Sequence, residues 1–238
     1  MKHQESWKIV WESKTSKVER EDLLGSLIKA NGFDTGCGDY STDQWKLMTI
    51  ELSKLLGIKE KSKVLEVGCG SGAFLHGIQN YSQAEVFGYD YSSALINTAN
   101  EFVKGEFKVS EASKNPFNSI KFDFAISHSV FQYFPNEDYA IETIKSMSNA
   151  LNHGGKIALL DINDADSEKT YHTDRRMNYK NPAEYDEKYK NHPHLFLQRK
   201  VIISSLENLG FVDIEFIPHF ISEYKNSKYR FNIIATKT

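Results

Sequence analysis

The feature that most constrains this chain is Glu66-Val67-Gly68-Cys69-Gly70-Ser71-Gly72, which overlaps the apolar run VLEV (64–67) and leads into a helix-prone stretch at 72–80. Alternate glycines between a buried strand and a helix allow a tight turn and let a ligand approach the backbone. Amides at the start of the following helix are expected to face outward, where they would meet a carboxylate or phosphate. Asp90 ends the next apolar run, roughly 20 residues on, where an acid accepts both hydroxyls of a ribose.

The rest of the chain fits a sheet around this turn. Strand-like runs at 84–90, 105–112, 122–130 and 156–162 alternate with helical stretches at 92–104 and 137–151, the latter stopped by Asn152-His153-Gly154-Gly155. Apolar, β-branched strands separated by helices imply a parallel sheet covered on both faces. A helix at 197–209 ends at Gly210 and is followed by strands at 211–218 and 229–236. The loop between these last two is too short for a parallel crossover, so they are expected to be antiparallel. The expectation is an α/β chain with seven strands, mostly parallel, and an antiparallel last strand. Two short N-terminal helices within 4–30 are expected to break near 14–16. A third, over 43–56, would be capped by Ser41 or Thr42 and anchored by Trp45. Residues 163–196 lack apolar periodicity but hold several tyrosines and histidines, and read as an inserted lid.

Composition excludes several partners. The net charge of −3 gives no basic field for nucleic acid or an anionic membrane. No apolar run approaches the roughly 18 residues that span a bilayer. The N-terminus lacks a secretory apolar region, so a cytoplasmic location is expected. Cys37 and Cys69 are far apart and form no metal-binding pair.

The glycine run alone leaves two readings open, since Gly68, Gly70 and Ala73 also satisfy a dinucleotide pattern. Glu66 suits an ammonium-bearing ligand better than a pyrophosphate. The glycines continue to Gly72, and the last strand reads as antiparallel. Together these blocks resemble class I S-adenosylmethionine (SAM)-dependent methyltransferases of the Rossmann-like superfamily. VLEVGCGSGAFL resembles the family's first motif, VFGYDYS its ribose motif and KVSEASKNPF its adenine motif. FDFAISHSVFQYFP and LNHGGKIALLDIN are similar to its fourth- and fifth-strand motifs, in order over about 62–163.

The resemblance implies SAM as cofactor and assigns roles. Gly68, Cys69, Gly70 and Gly72 would line the methionine and ribose portion. Glu66 would hold the ammonium group, and Asp90 the ribose hydroxyls. Tyr91 would pack on the adenine, with Glu111 and the Ala112 amide at its edge. Ser127 would lie beside the methionine moiety. Glu111 replaces the usual aspartate, and Tyr91 the usual aliphatic. Residues 1–60 would form a helical cap, and 61–238 the SAM-binding domain with its acceptor lid at about 163–196.

A sulfonium is a good leaving group, so catalysis rests mainly on alignment and water exclusion. His128, just past the fourth strand, is the first candidate general base and Tyr133 the second. Phe131 and Tyr133 offer aromatic faces to a cationic donor. Tyr171, Arg175 and Arg230 are the candidate acceptor contacts. They point to a small polar metabolite and to O-methylation of a sugar or related compound. No metal is expected: Asp161, Asn163, Asp164 and Asp166 cluster after the fifth strand, but no carboxylate ends the fourth. Monomer and homodimer both remain open. The rival readings are an NAD-linked oxidoreductase, which would want a Tyr-x-x-x-Lys after the fourth strand, and a non-catalytic SAM-binding module.

Overall fold

A computed structural model describes residues 2–13, 18–33 and 39–238. The break near 14–16, Cys37 and the middle of the loop after residue 33 lie outside the described residues. The N-terminal part supplies α1 (Lys2–Glu12), α2 (Leu23–Ala30) and α3 (Thr42–Leu56). The start of α3 is fixed by a reciprocal cap: the Gln44 amide donates to the Ser41 hydroxyl, and the Ser41 amide to the Gln44 side chain. Its end is set by Gly57, whose φ of 83° places it in the left-handed region.

The alternating part follows as β1 (Lys63–Val67), α4 (Ala73–Ser82), β2 (Glu85–Asp90), α5 (Ser93–Phe102), β3 (Glu106–Val109), β4 (Phe122–His128), α6 (Glu137–Ala150) and β5 (Leu151–Asn163). After α7 (Glu168–Met177) and α8 (Pro182–Asn191) come α9 (Arg199–Asn208), β6 (Phe211–Ile217) and β7 (Arg230–Lys237). The seven strands form one sheet in the order β3-β2-β1-β4-β5-β7-β6. Strands β1 to β5 pair in parallel, and β7 runs antiparallel to both β5 and β6. This is the expected Rossmann-like α/β sheet.

Each face of the sheet carries its own core. Val64, Val86 and Ile126 share one with α2, α3 and α4; Leu65, Ala125 and Ile157 share the other with α6 and α9. Trp45 is fully buried in the first, and its indole N–H donates to the Ala73 carbonyl at 3.1 Å, tying α3 to the start of α4. No described helix is long and apolar enough to cross a membrane.

Two sequence expectations change. The helix stop at Asn152-His153-Gly154-Gly155 is already strand: α6 ends at Ala150, and β5 absorbs the glycines with a register shift opposite Phe122 and Phe124. The irregularity takes glycine there because Gly154, at φ 77°, lies in the left-handed region. The stretch after β5 is also more helical than its pattern suggests. Asn181 caps α8 and Pro182 sits in its first turn. The only buried side chains are Tyr171 in α7 and Tyr185 in α8, too few to produce an apolar period.

Candidate functional site

The carboxyl ends of β1 to β4 open into a cavity of about 700 Å³. Parallel strands present their end residues along one edge, so Glu111, Asp90, Glu66 and His128 follow the sheet order across it. The turn after β1 is folded as its glycines require. Gly68, Gly70 and Gly72 have φ of 74°, 52° and 79°. A Cβ on Gly68 would lie 2.5 Å from Val130, and one on Gly70 2.4 Å from Asn31.

The amides of the turn itself, ahead of α4, all point into the chain. Gly68 and Cys69 donate to the Tyr89 carbonyl, Gly72 to that of Cys69, Gly70 to the Asp90 carboxylate and Ser71 to the Asn31 side chain. Each amide of the turn is therefore satisfied within the chain, because β2 and the end of α2 press against it. The turn contributes close approach instead of an anion-binding nest.

Charge fills the gap. Glu66 is 2% exposed, lines the cavity, and its Oε2 has no hydrogen-bond partner among the described residues. Burial, then the neighbouring Asp90, pushes its carboxyl well above the ordinary range. A buried acceptor of this kind calls for a donor or cation from a ligand. Asp90 receives the Gly70 and Ser92 amides, one on each oxygen, and keeps further lone pairs for hydroxyls. Burial pushes it up to about 6 against those two hydrogen bonds. Tyr91, Glu111 and Ala112 continue the wall. An ammonium-bearing nucleoside fits this set better than a pyrophosphate, which would face three acids.

Of the other residues singled out, His128, Tyr133, Arg175 and Arg230 also line the cavity. Four do not. Cys69 is fully buried beneath Gly88 of β2, so its thiol points away from any ligand. Gly72 faces Val103 and Phe107 and acts in the turn itself. Ser127 alternates inward and donates to the Val67 carbonyl at 3.0 Å. Tyr171 of α7 is fully buried, with its hydroxyl 3.2 Å from that of Tyr189 and 3.0 Å from the His194 ring. Phe131 likewise packs on Phe134, 1% exposed and off the wall.

The two candidate bases differ. Burial, moderated by Asp161, pushes His128 down to about 4, so its imidazole is neutral at pH 7. Its ring stacks on Phe74 at 4.9 Å and meets the edge of Trp45 at 5.4 Å. Tyr133 is shifted the other way: burial raises its hydroxyl, which stays protonated and can donate a hydrogen bond but not act as a base at neutral pH. Arg230, read from sequence as a strand residue able to meet an acceptor, is 8% exposed and reaches the buried Asp161. Burial alone would raise Asp161, but Arg230 beside it draws the carboxyl below the ordinary range. Asp164 pairs with Arg199 at 2.8 Å. Asp161 and Asp164 thus each bind an arginine.

Sequence reasoning expected a cap from residues 1–60 but did not single out Trp7 or its contacts. Trp7 of α1 stacks on His194 at 5.1 Å, meets Tyr133 at 4.8 Å, and donates to the Pro193 carbonyl at 2.9 Å. Lys8 lies 3.6 Å from Glu111, and the Tyr91 and Ser92 hydroxyls donate to the Trp7 and Trp11 carbonyls. Helix α1 therefore straps the ends of β2 and β3 to the segment that follows α8. Two tryptophans in a charged N-terminal helix were the available signal.

Comparison with known proteins agrees with this geometry. A family described as a methyltransferase domain matches residues 58–201. An erythromycin 3''-O-methyltransferase of Saccharopolyspora erythraea is 28% identical over 147 residues, covering 58% of this chain and 46% of that protein. An uncharacterized methyltransferase of Schizosaccharomyces pombe is 26% identical over 136 residues, covering 51% and 48%. The chain thus spans about half the length of these curated relatives. Geranyl diphosphate C-methyltransferase from Streptomyces coelicolor A3(2), solved with Mg2+, geranyl-S-thiolodiphosphate and S-adenosyl-L-homocysteine, superposes with a TM-score of 0.64 at 12% identity, covering 100% of this chain and 99% of that one. Haemonchus contortus phosphoethanolamine N-methyltransferase 2, solved with S-adenosyl-L-methionine, gives 0.62 at 14% identity, covering 92% and 58%. At such identities the structural likeness speaks for the fold alone.

Proposed function

This chain belongs to the methyltransferase-domain family and carries the class I SAM-dependent fold, and we propose that it transfers the methyl group of SAM to a small polar acceptor enclosed beside it. The observation that carries this reading is the orphaned, buried Glu66 carboxylate at the head of a cavity that continues past Asp90 to Arg230. The named O-methyltransferase relative accords with an oxygen acceptor, and a sugar or related compound fits the polar lining.

SAM, when bound, supplies an electrophilic methyl group on a sulfonium. Glu66 would hold its ammonium, Asp90 its ribose hydroxyls, and Tyr91 and Glu111 its adenine. The chain's own work is then to align an acceptor and keep water out, worth up to about 7–11 kcal/mol in ideal cases. Residues 1–60 act as a cap through Trp7 and Trp11, and 163–196 as a lid through His194 and Tyr189. For a hydroxyl acceptor, neutral His128 accepts the proton, and the Tyr133 hydroxyl donates a hydrogen bond that orients the acceptor.

Calorimetric titration with SAM and, separately, with NAD tests the reading. Saturable heat with SAM alone is expected. Binding of NAD in its place would restore the oxidoreductase reading.

A further inference from the structure

The lining charges of the cavity are sorted by sign. Across the sheet edge, Glu111, Asp90 and Glu66 stand at the ends of β3, β2 and β1. Beyond His128, the lining charges are Arg230 at the start of β7, Arg175 of α7 and Lys188 of α8. No carboxylate lines that end among the described residues. Asp161 neutralises Arg230 from behind without reaching the cavity wall.

The arginines are joined into one polar surface. Arg175 donates to the Asn226 side chain at 2.7 Å. Asn226 donates to the Tyr224 hydroxyl at 3.2 Å, and Arg230 reaches the same hydroxyl at 3.1 Å. Asn226 and Tyr224 also line the cavity. Arg230 meets Asp161 only through Nη1, not as a fork, so its buried Nε has no partner among the described residues. A guanidinium held at one corner keeps its planar edge for a second oxyanion. The lid's outward cation is treated differently: Arg176 takes Asp186 as a forked partner. His194, between these groups, is depressed first by burial and then by Arg230, Arg175, His172 and Lys188 together, so the cations act on one small volume.

Resting on the methyltransferase reading, we infer that the acceptor carries an oxyanion, a carboxylate or a phosphate, held between Arg230, Arg175 and Lys188 while its nucleophile faces the β1 end. The charge pattern also orients it, since the same group would be repelled by Glu66, Asp90 and Glu111.

All three tryptophans of the chain, Trp7, Trp11 and Trp45, line the cavity, so intrinsic fluorescence reports its occupancy. The protein is saturated with S-adenosylhomocysteine and titrated with inorganic phosphate, with succinate, and with glucose as a neutral control. A saturable response to an anion and none to glucose is expected, and the tighter anion distinguishes phosphate from carboxylate. Arg175→Gln and Lys188→Gln should each weaken that response about tenfold, the loss of one charged contact. Their S-adenosylhomocysteine affinity should stay unchanged. No anion response in the loaded protein, or one undiminished in both variants, would overturn the inference alone. Failure to bind S-adenosylhomocysteine would bring down the methyltransferase reading and this inference with it.

Discussion

The two ends of the cavity are assembled by different means. At the β1 end, Glu66, Asp90 and Glu111 sit on or just past neighbouring parallel strands, and backbone hydrogen bonds set their positions. The Gly68 and Cys69 amides clamp onto Tyr89, and those of Gly70 and Ser92 clamp onto Asp90. At the far end, Trp7, Arg175, His194 and Arg230 come from four separate segments and are brought together by side-chain contacts. A ladder fixes its residues to within a strand register; a set of ring stacks and bridged arginines can open and reclose. The first end is suited to one invariant ligand, the second to admitting and enclosing a variable one.

The sharpest way to break this contrast is to damage one end and read both. If Asp90 accepts both ribose hydroxyls as proposed, Asp90→Ala should weaken SAM binding about 10²–10⁴-fold by calorimetry, each charged hydrogen bond being worth about 1.5–3 kcal/mol. An equal loss from Lys188→Gln would erase the distinction. His128→Ala is the converse: SAM affinity should hold within about threefold while single-turnover transfer slows about 10²-fold, the lower range for a general base. Unchanged transfer would remove His128 from the mechanism and leave alignment alone.

Backbone construction of the β1 end gives a stability test. Gly68→Ala combines a positive φ of 74° with a Cβ 2.5 Å from Val130, and should cost about 1–3 kcal/mol in denaturant unfolding. Gly154→Ala shares a φ of 77° but meets nothing within 4 Å, so strain alone remains, about 1 kcal/mol. Equal losses would show that the Val130 contact is yielding.

The smallest expected effect is on pH. Burial raises Asp90 from 3.8 to about 6, so the ligand-free fold binds more protons than the unfolded chain between those values. Stability from this group therefore falls as pH rises from about 4 to about 6. Ligand affinity moves oppositely: the ionised form accepts ribose hydroxyls, so SAM binding should strengthen about fivefold from pH 5 to pH 6 with proton release. Glu66, raised in the same sense, adds to that slope. A flat profile would mean that neither carboxylate meets the ligand.

What the sequence disclosed follows the same division. The glycine turn, Asp90 and the order of strands are local patterns, and strand register carries them into space unaltered. Cys69, Gly72 and Ser127 fall in the right motifs, yet they face inward, because alternation along a strand and the direction of a turn decide which residue meets the cavity. Tyr171 fails for another reason. A polar helix gives no apolar period to say which tyrosine is buried, and Tyr189 takes the lining place instead. Trp7 and Asn31 were illegible because their role depends on contacts with residues far away in sequence, His194 for the first and Ser71 for the second.

The central claim is that a buried carboxylate on β1 receives the amino group of an adenosyl ligand. Its most direct test is a crystal structure of the protein with S-adenosylhomocysteine. The amino group should lie within hydrogen-bonding distance of Glu66 Oε2 and the ribose on Asp90. An adenosyl ligand seated elsewhere, or turned so that its carboxylate faces Glu66, would contradict it.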